Sequence, residues 1–290
     1  MNYEIVHTTE YHYEDSISLC HNSARLIPRA TANQICKKTN MRILPQPDAI
    51  NEYIDFFGNK VVYFAIQQEH KQLVVTVTST VNIDPAGQKN GSENRVGWEE
   101  AKKLLNEIKP EFLEAKAFVL ETAMTALSPG ILEYAKASFA PARPLFEAAL
   151  DLMHRIHKDF EFKPGMTTIA TPLTSVLEQH KGVCQDFAHL AIACLRAQGL
   201  PARYVSGYVE TIPPPGKEKL SGVDASHAWF SVFIPNTGWI DFDPTNNMIP
   251  SDQHITIGWG RDYSDVTPLK GVVFSSGKHE LNVSVNVRRC

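Results

Sequence analysis

No stretch of this 290-residue chain reaches eighteen consecutive apolar residues, so no membrane-spanning helix is expected. The opening MNYEIVHTTEYHYEDSISLC lacks the basic start, apolar run and small-residue cleavage site of an export signal, and a cytoplasmic protein is expected, with no membrane partner. A basic excess is missing too. Lys and Arg total 28 against 32 Asp and Glu, and the net charge of −4 argues against nucleic acid as a partner, because phosphate binding leaves a basic surplus. The five cysteines, at 20, 36, 184, 194 and 290, are odd in number and include no CxxC pair, which speaks against a disulfide framework and a structural zinc site. Phosphate loop, zinc-protease histidine pair, calcium loop and internal repeat are all absent, so the expected cofactor and metal are none. What remains is an ordinary globular composition, 43% hydrophobic and 21% charged, in a chain long enough for about two domains.

The first ninety residues favour strands. Tyr3 to Tyr13, Ser16 to Pro28, Val61 to Ile66 and Leu73 to Ile83 carry alternating or branched residues, and the DFFGN run at 55–59 supplies a turn. The polar stretch Asp84 to Asn94 has almost no apolar content and is the natural exit, which divides the chain at 1–95 and 96–290. Helices are expected over 98–107, 111–126, 130–139 and 144–158, separated by prolines, then over 175–179 and 186–198, with Gly199 as end cap. His154 and His157 lie three apart in one of these helices, with no third ligand at helical spacing. Strands are expected again at 202–209, 227–234, 238–243, 271–275 and 280–288. Thr211 to Asp224, rich in proline and charge, reads as a mobile rim.

Cys184 stands out. A thiolate at a helix start gains from unpaired backbone N–H groups and the positive end of the helix dipole, and Gly182 lets the chain approach without a side chain in the way. Cys194 instead shares the buried stripe of Phe187, Leu190 and Ala191. His227 opens the run HAWFSVFI, where His227, Trp229, Ser231 and Phe233 share one face and Ala228, Phe230, Val232 and Ile234 the other. The second face is the candidate core; the first presents His227 to a cleft, with Trp229 either a wall against water or plain packing. On the next strand Asp241 and Asp243 share a face, and either carboxylate can orient the imidazole. Asp243 leads because Pro244 fixes it. Asp186 reads as support for the helix start and His189 as a packing or hydrogen-bonding residue. Cys20, His21 and Cys36 form no recognisable metal spacing.

The strings KGVCQDFAHLAIACLRAQGLPARYVSGY, DASHAWFSVF and GWIDFDPTN, in that order, resemble the cysteine, histidine and aspartate motifs of the transglutaminase-like superfamily, in its bacterial cysteine-protease branch. Tyr11 to Pro28 with the DFFGN turn resembles the N-terminal β domain of that branch. The resemblance implies an α+β fold, a papain-like transglutaminase core preceded by a β-sandwich-like domain. It implies Cys184 as nucleophile, His227 as acid and base and Asp243 as orienter. The implied activity is cysteine-dependent hydrolysis of a peptide or protein amide through a thioester. Amine transfer by a transglutaminase is the alternative enzyme, and a binding module that keeps the arrangement for stability is the non-enzymatic one. One departure is Ser231, where the family commonly has an acidic residue.

Overall fold

The computed structural model describes residues 1–87, 89–211, 226–273 and 277–290. The chain begins with six strands: β1 (Asn2–Ile17), β2 (Cys20–Ala24), β3 (Gln34–Leu44), β4 (Ala49–Ile54), β5 (Lys60–Ile66) and β6 (His70–Ile83). In the last of these Leu73, Val75, Val77, Val81 and Ile83 are buried at every second or fourth position, while the intervening threonines are half-buried. That is the pattern of a sheet with one dry face. Residues of β1 and β6 meet Ile17, Cys20, Val62, Phe64 and Ile66 in one apolar cluster between two sheets.

Helices follow: α1 (Trp98–Leu104), α2 (Pro110–Lys116), α3 (Pro129–Lys136) and α4 (Leu145–Asp159). The helix expected over 111–126 stops at 116. Beyond it the Phe118 carbonyl accepts from the Arg196 guanidinium at 2.9 Å and from the Ala202 N–H at 3.2 Å, so tertiary partners take a backbone group that a longer helix would use. Next come β7 (Glu161–Phe162), α5 (Leu173–Gln179), β8 (Lys181–Gly182) and α6 (Cys184–Ala197). Four strands, β9 (Ala202–Val209), β10 (Ser226–Ile234), β11 (Gly238–Phe242) and β12 (His254–Gly260), form an antiparallel sheet in the order β11-β10-β9-β12. The chain ends with β13 (Leu269–Val273) and β14 (His279–Arg289).

These last two strands correct the sequential division at residue 95. β14 pairs with β1 from Tyr3↔Arg289 to Tyr13↔His279, and β13 pairs with β2, so the sheet orders are β14-β1-β6-β3 and β13-β2-β5-β4. Alternation reveals a strand but not its partner, and the partner here lies at the other end of the chain. Strands β3 and β4, which sequence patterning passed over, are the far edges of these sheets. Their exposed faces carry Lys37, Lys38 and Arg42 or, in β4, a fully exposed run, as edge strands often do.

Two interfaces place the site. Helix α6 lies on one face of the four-stranded sheet, where Phe187, Leu190, Ala191 and Cys194 pack with Ala228, Phe230, Val232 and Ile234. The other face was expected to open to a cleft, yet Trp229 and Ser231 are 0% exposed and Phe233 is 5%. Phe233 packs with Leu105, Phe112 and Ala115, the Trp229 indole is held by Asp241, and Tyr3, Ile5, Val81 and Ile83 of β1 and β6 close against Tyr208, Ile255 and Ile257 of β9 and β12. A strand covered on both faces cannot announce by period two which face is functional. Among the described residues, no helix is long and apolar enough to cross a membrane.

Candidate active site

Helix α6 starts where it does because Asp186 turns back on the residue before it. The Asp186 carboxylate accepts the Val183 N–H at 2.8 Å and the Thr167 hydroxyl at 2.6 Å. Burial pushes the Asp186 pKa up and these two donors oppose it, so the residue serves the helix start. Gly182 makes room for this turn: a Cβ there would stand 2.9 Å from the Asp186 Cβ and Oδ2. Val183 is extended, at φ −119° and ψ 177°, and the first helical bond runs from the Phe187 N–H to the Val183 carbonyl at 3.1 Å. The N–H groups of Cys184, Gln185 and Asp186 therefore lack intrahelical acceptors. Cys184 is half-exposed, whereas the rest of the helix from Asp186 to Arg196 is buried.

His227 enters from β10. Its Nε2 lies 2.8 Å from the Asp243 Oδ2, and the Cys184 thiol lies near enough to act on the charge of the ring. Asp243 follows β11 directly and is clamped across a tight loop to Met248 by two backbone bonds of 2.9 and 3.1 Å. Asp241, two residues earlier, instead accepts the indole N–H of Trp229 at 3.0 Å. Of the two candidate carboxylates, the structure thus brings Asp243 to His227 and uses Asp241 to hold the neighbouring tryptophan.

Electrostatics follow from burial and pairing. Burial alone would lower the His227 pKa, but hydrogen bonds to Asp243 and Cys184, with the charge of each, outweigh it and lift the ring to about 10. Burial would raise Asp243, which is 0% exposed, yet donors from His227 and His254 hold it well below the usual carboxylate range. The arrangement is that of an imidazolium held between a carboxylate and a thiol.

Two partners of Asp243 escaped the sequence reading. His254, at the start of β12, places Nε2 at 3.0 Å from the Asp243 Oδ2, while its Nδ1 accepts the Ser251 N–H at 3.3 Å, so its tautomer is set with the proton on Nε2. Asn246 donates its amide to the same oxygen at 2.7 Å, and the N–H groups of Thr245 and Asn246 reach Oδ1 at 3.0 and 3.2 Å. The branched run HITIGW was a usable strand signal, and an asparagine three residues after a strand-ending aspartate was a usable turn signal. His227, Asp243 and His254 offer ligand atoms within 4.8 Å of one another, the one such cluster among the described residues. In this geometry both Nε2 atoms are directed at one carboxylate oxygen as hydrogen-bond donors.

The remaining candidates lie apart. His189 accepts the Tyr263 N–H at 3.1 Å, and burial lowers it to about 4. Cys194 is pushed up to about 12 by burial in the core. Cys20 faces His70 and Asn22, while His21 pairs with Tyr63 and Cys36 with the Lys38 carbonyl. His157 meets the Thr245 carbonyl at 3.1 Å. The expected rim, Thr211 to Asp224, lies outside the described residues except for Thr211.

Comparison with known proteins matches residues 133–244 to the transglutaminase-like superfamily and residues 3–82 to the bacterial transglutaminase-like N-terminal region. An uncharacterized protein of Mycobacterium tuberculosis H37Rv is 39% identical over 98% of this chain and 92% of its own length. A second, from Mycobacterium leprae, is 32% identical over 98% of each. A protein-glutamine gamma-glutamyltransferase of Pseudomonas aeruginosa is 31% identical over 31% of this chain and 15% of its own. Among solved structures, a "Putative Cysteine Protease" from Cytophaga hutchinsonii superposes with a TM-score of 0.77 at 21% identity, covering 99% of this chain and 90% of that one, which supports the fold.

Proposed function

The chain belongs to the transglutaminase-like superfamily, and from that premise we propose that it is a cysteine-dependent amide hydrolase acting on peptides or proteins through a thioester at Cys184. The observation that carries this reading is the alignment of a half-exposed thiol at a helix start, an imidazole lifted to about 10, and a fully buried carboxylate behind it.

The Cys184 sulfur attacks the amide carbonyl as a thiolate, paired with the imidazolium of His227. The new oxyanion forms beside the first turn of α6, where the N–H groups of Cys184 and Gln185 have no helical acceptor. Collapse of the tetrahedral intermediate expels the amine, which takes the proton from His227 Nδ1. Water then attacks the thioester; His227 accepts its proton and returns it to the sulfur as the acyl group leaves. Asp243 stays ionised throughout and holds the ring through Nε2. A reducing cytoplasm suits this chemistry, since an accessible thiol is readily oxidised.

Water at about 55 M makes hydrolysis the default fate of the thioester unless a site excludes it and binds an amine. The local similarity to a protein-glutamine gamma-glutamyltransferase favours amine transfer as the second reading. A peptide-library assay read by mass spectrometry, with and without excess primary amine, separates them. Cleaved or deamidated products in both conditions support hydrolysis; amine adducts dominating at modest amine concentration support transfer; no product from any amide returns the site to a binding module.

A further inference from the structure

A cavity of about 810 Å³ lies behind the sheet that carries His227, on the face turned toward the first two sheets. Trp229 and His254 border it, but Cys184 and His227 do not. The size suits a small molecule.

Its chemistry centres on Arg203 of β9. The residue is 8% exposed, and its Nε is buried with no hydrogen-bond partner. The guanidinium carbon stands 3.7 Å from the ring centre of Trp259 and 4.4 Å from that of Trp239. Arg29 lies over the Trp259 ring at 3.5 Å and spends one terminal nitrogen on the Phe57 carbonyl and Asn59. Among the described residues, neither guanidinium has an ion pair within 4.0 Å. Cation–π stacking lowers the cost of burying such charges but fills none of their N–H donors.

The strand between the ions supplies no charge. In the cross-strand row Asp241, Ser231 and Arg203 stand side by side, and the Ser231 Oγ is itself buried without a partner. Asp241 is engaged by the Trp229 indole. Burial lowers Arg203 to about 9, with Asp241 offsetting and Arg29 adding to the shift, so it remains a cation at neutral pH. The lining holds three cations, Arg29, Arg203 and Lys89, against two carboxylates, Asp241 and Glu114.

We propose that this cavity is a binding site for a small organic carboxylate with an apolar body, received by the terminal nitrogens of Arg203, whose guanidinium is held between Trp239 and Trp259. A planar carboxylate matches the two terminal nitrogens of the Arg203 fork, which make no hydrogen bond among the described residues, while the buried Nε stays unpaired. A surplus of one positive charge suits a monoanion better than a dianionic phosphate, and the indoles suit an apolar body. The cavity meets the surroundings of Asp243 through His254, but its ligand is read by binding and not by turnover at Cys184, so a failure of one proposal leaves the other standing.

Titration calorimetry with 3-phenylpropanoate, its neutral analogue 3-phenylpropan-1-ol and inorganic phosphate tests it, with tryptophan fluorescence in parallel. Trp98, the one tryptophan outside the cavity, packs on Phe139 away from the site, so the ligand-dependent change in signal is expected from the three lining indoles. The expected result is saturable one-to-one binding of the carboxylate with Kd below about 1 mM, and at least about tenfold weaker binding of the alcohol. Arg203→Met should weaken carboxylate binding at least about tenfold while holding or raising Tm, because an uncompensated buried charge is removed. Arg203→Lys, which keeps the charge but loses the fork, should also weaken it and serves if the Met variant fails to fold. The proposal is overturned by no saturation below about 10 mM, by equal binding of the alcohol, by binding that survives both substitutions, or by phosphate binding more tightly than the carboxylate.

Discussion

Asp243→Asn keeps the volume of a fully buried side chain and one acceptor oxygen, and removes the charge that faces the Nε2 atoms of His227 and His254. The lift of His227 from 6.5 to about 10 is 3.5 pH units, or about 5 kcal/mol at 1.36 kcal/mol per unit, shared between Asp243 and Cys184 against an opposing burial effect. The substitution removes both the charge-assisted hydrogen bond and the charge of Asp243 and leaves Cys184 alone to oppose burial, so most of the lift is lost and the imidazolium that accompanies the thiolate is no longer held through neutral pH. The assay is alkylation of Cys184 by iodoacetamide across pH 5 to 9, followed by mass spectrometry to exclude the other cysteines. The native protein should alkylate at pH 6 within about threefold of its rate at pH 8, whereas Asp243→Asn should fall at least about tenfold between those values. Turnover on any identified amide should drop about 10- to 100-fold at pH 7, with thermal stability close to native. An Asp243→Asn protein with the native alkylation profile would falsify the assignment of Asp243 as the group that holds the imidazolium.

His254→Phe keeps a ring beside Trp229 but removes one donor from Asp243. We expect kcat to fall about tenfold with KM little changed, and the acid limb of the alkylation profile to move up in pH, which loss of packing alone would not do. Chemical denaturation across pH should show two limbs. The His227 contribution is complete below 6.5 and disappears as pH rises through about 10; the Asp243 contribution is present above 3.8 and disappears as pH falls below that value, so this pair stabilises most between about 4 and 6.5. Dialysis against a chelator should leave Cys184 alkylation unchanged, while added zinc should suppress it by taking the donor atoms of His227, Asp243 and His254; loss of reactivity on chelation would instead make the cluster a resident metal site. Gly182→Ala should cost about 1–3 kcal/mol in Tm or denaturant midpoint, because the new methyl meets Asp186 at the turn that starts α6.

The three residues proposed as nucleophile, acid-base and orienter were legible in the sequence as candidates because each sits at a local boundary: a helix start, a strand start and a strand end before proline. Such boundaries are written in neighbouring residues. His254 and Asn246 were not legible as site residues, because their meaning depends on a carboxylate that only the folded sheet and the 244–247 loop bring to them. The same distinction runs through the fold. The dry face of β6 is declared by its own alternation, but the return of β14 to β1 joins residues separated by nearly the whole chain, and no local pattern encodes that register. The same holds for Trp229, which local sequence left open between a cleft wall and plain packing: its ring lies over Gly207, where a Cβ would stand 2.5 Å from the indole, and it borders the cavity behind the sheet. The strand-rich part of the chain is therefore the back wall of the proposed catalytic sheet, with Ile5 and Val287 packed against Tyr208, Ile255 and Ile257 of β9 and β12.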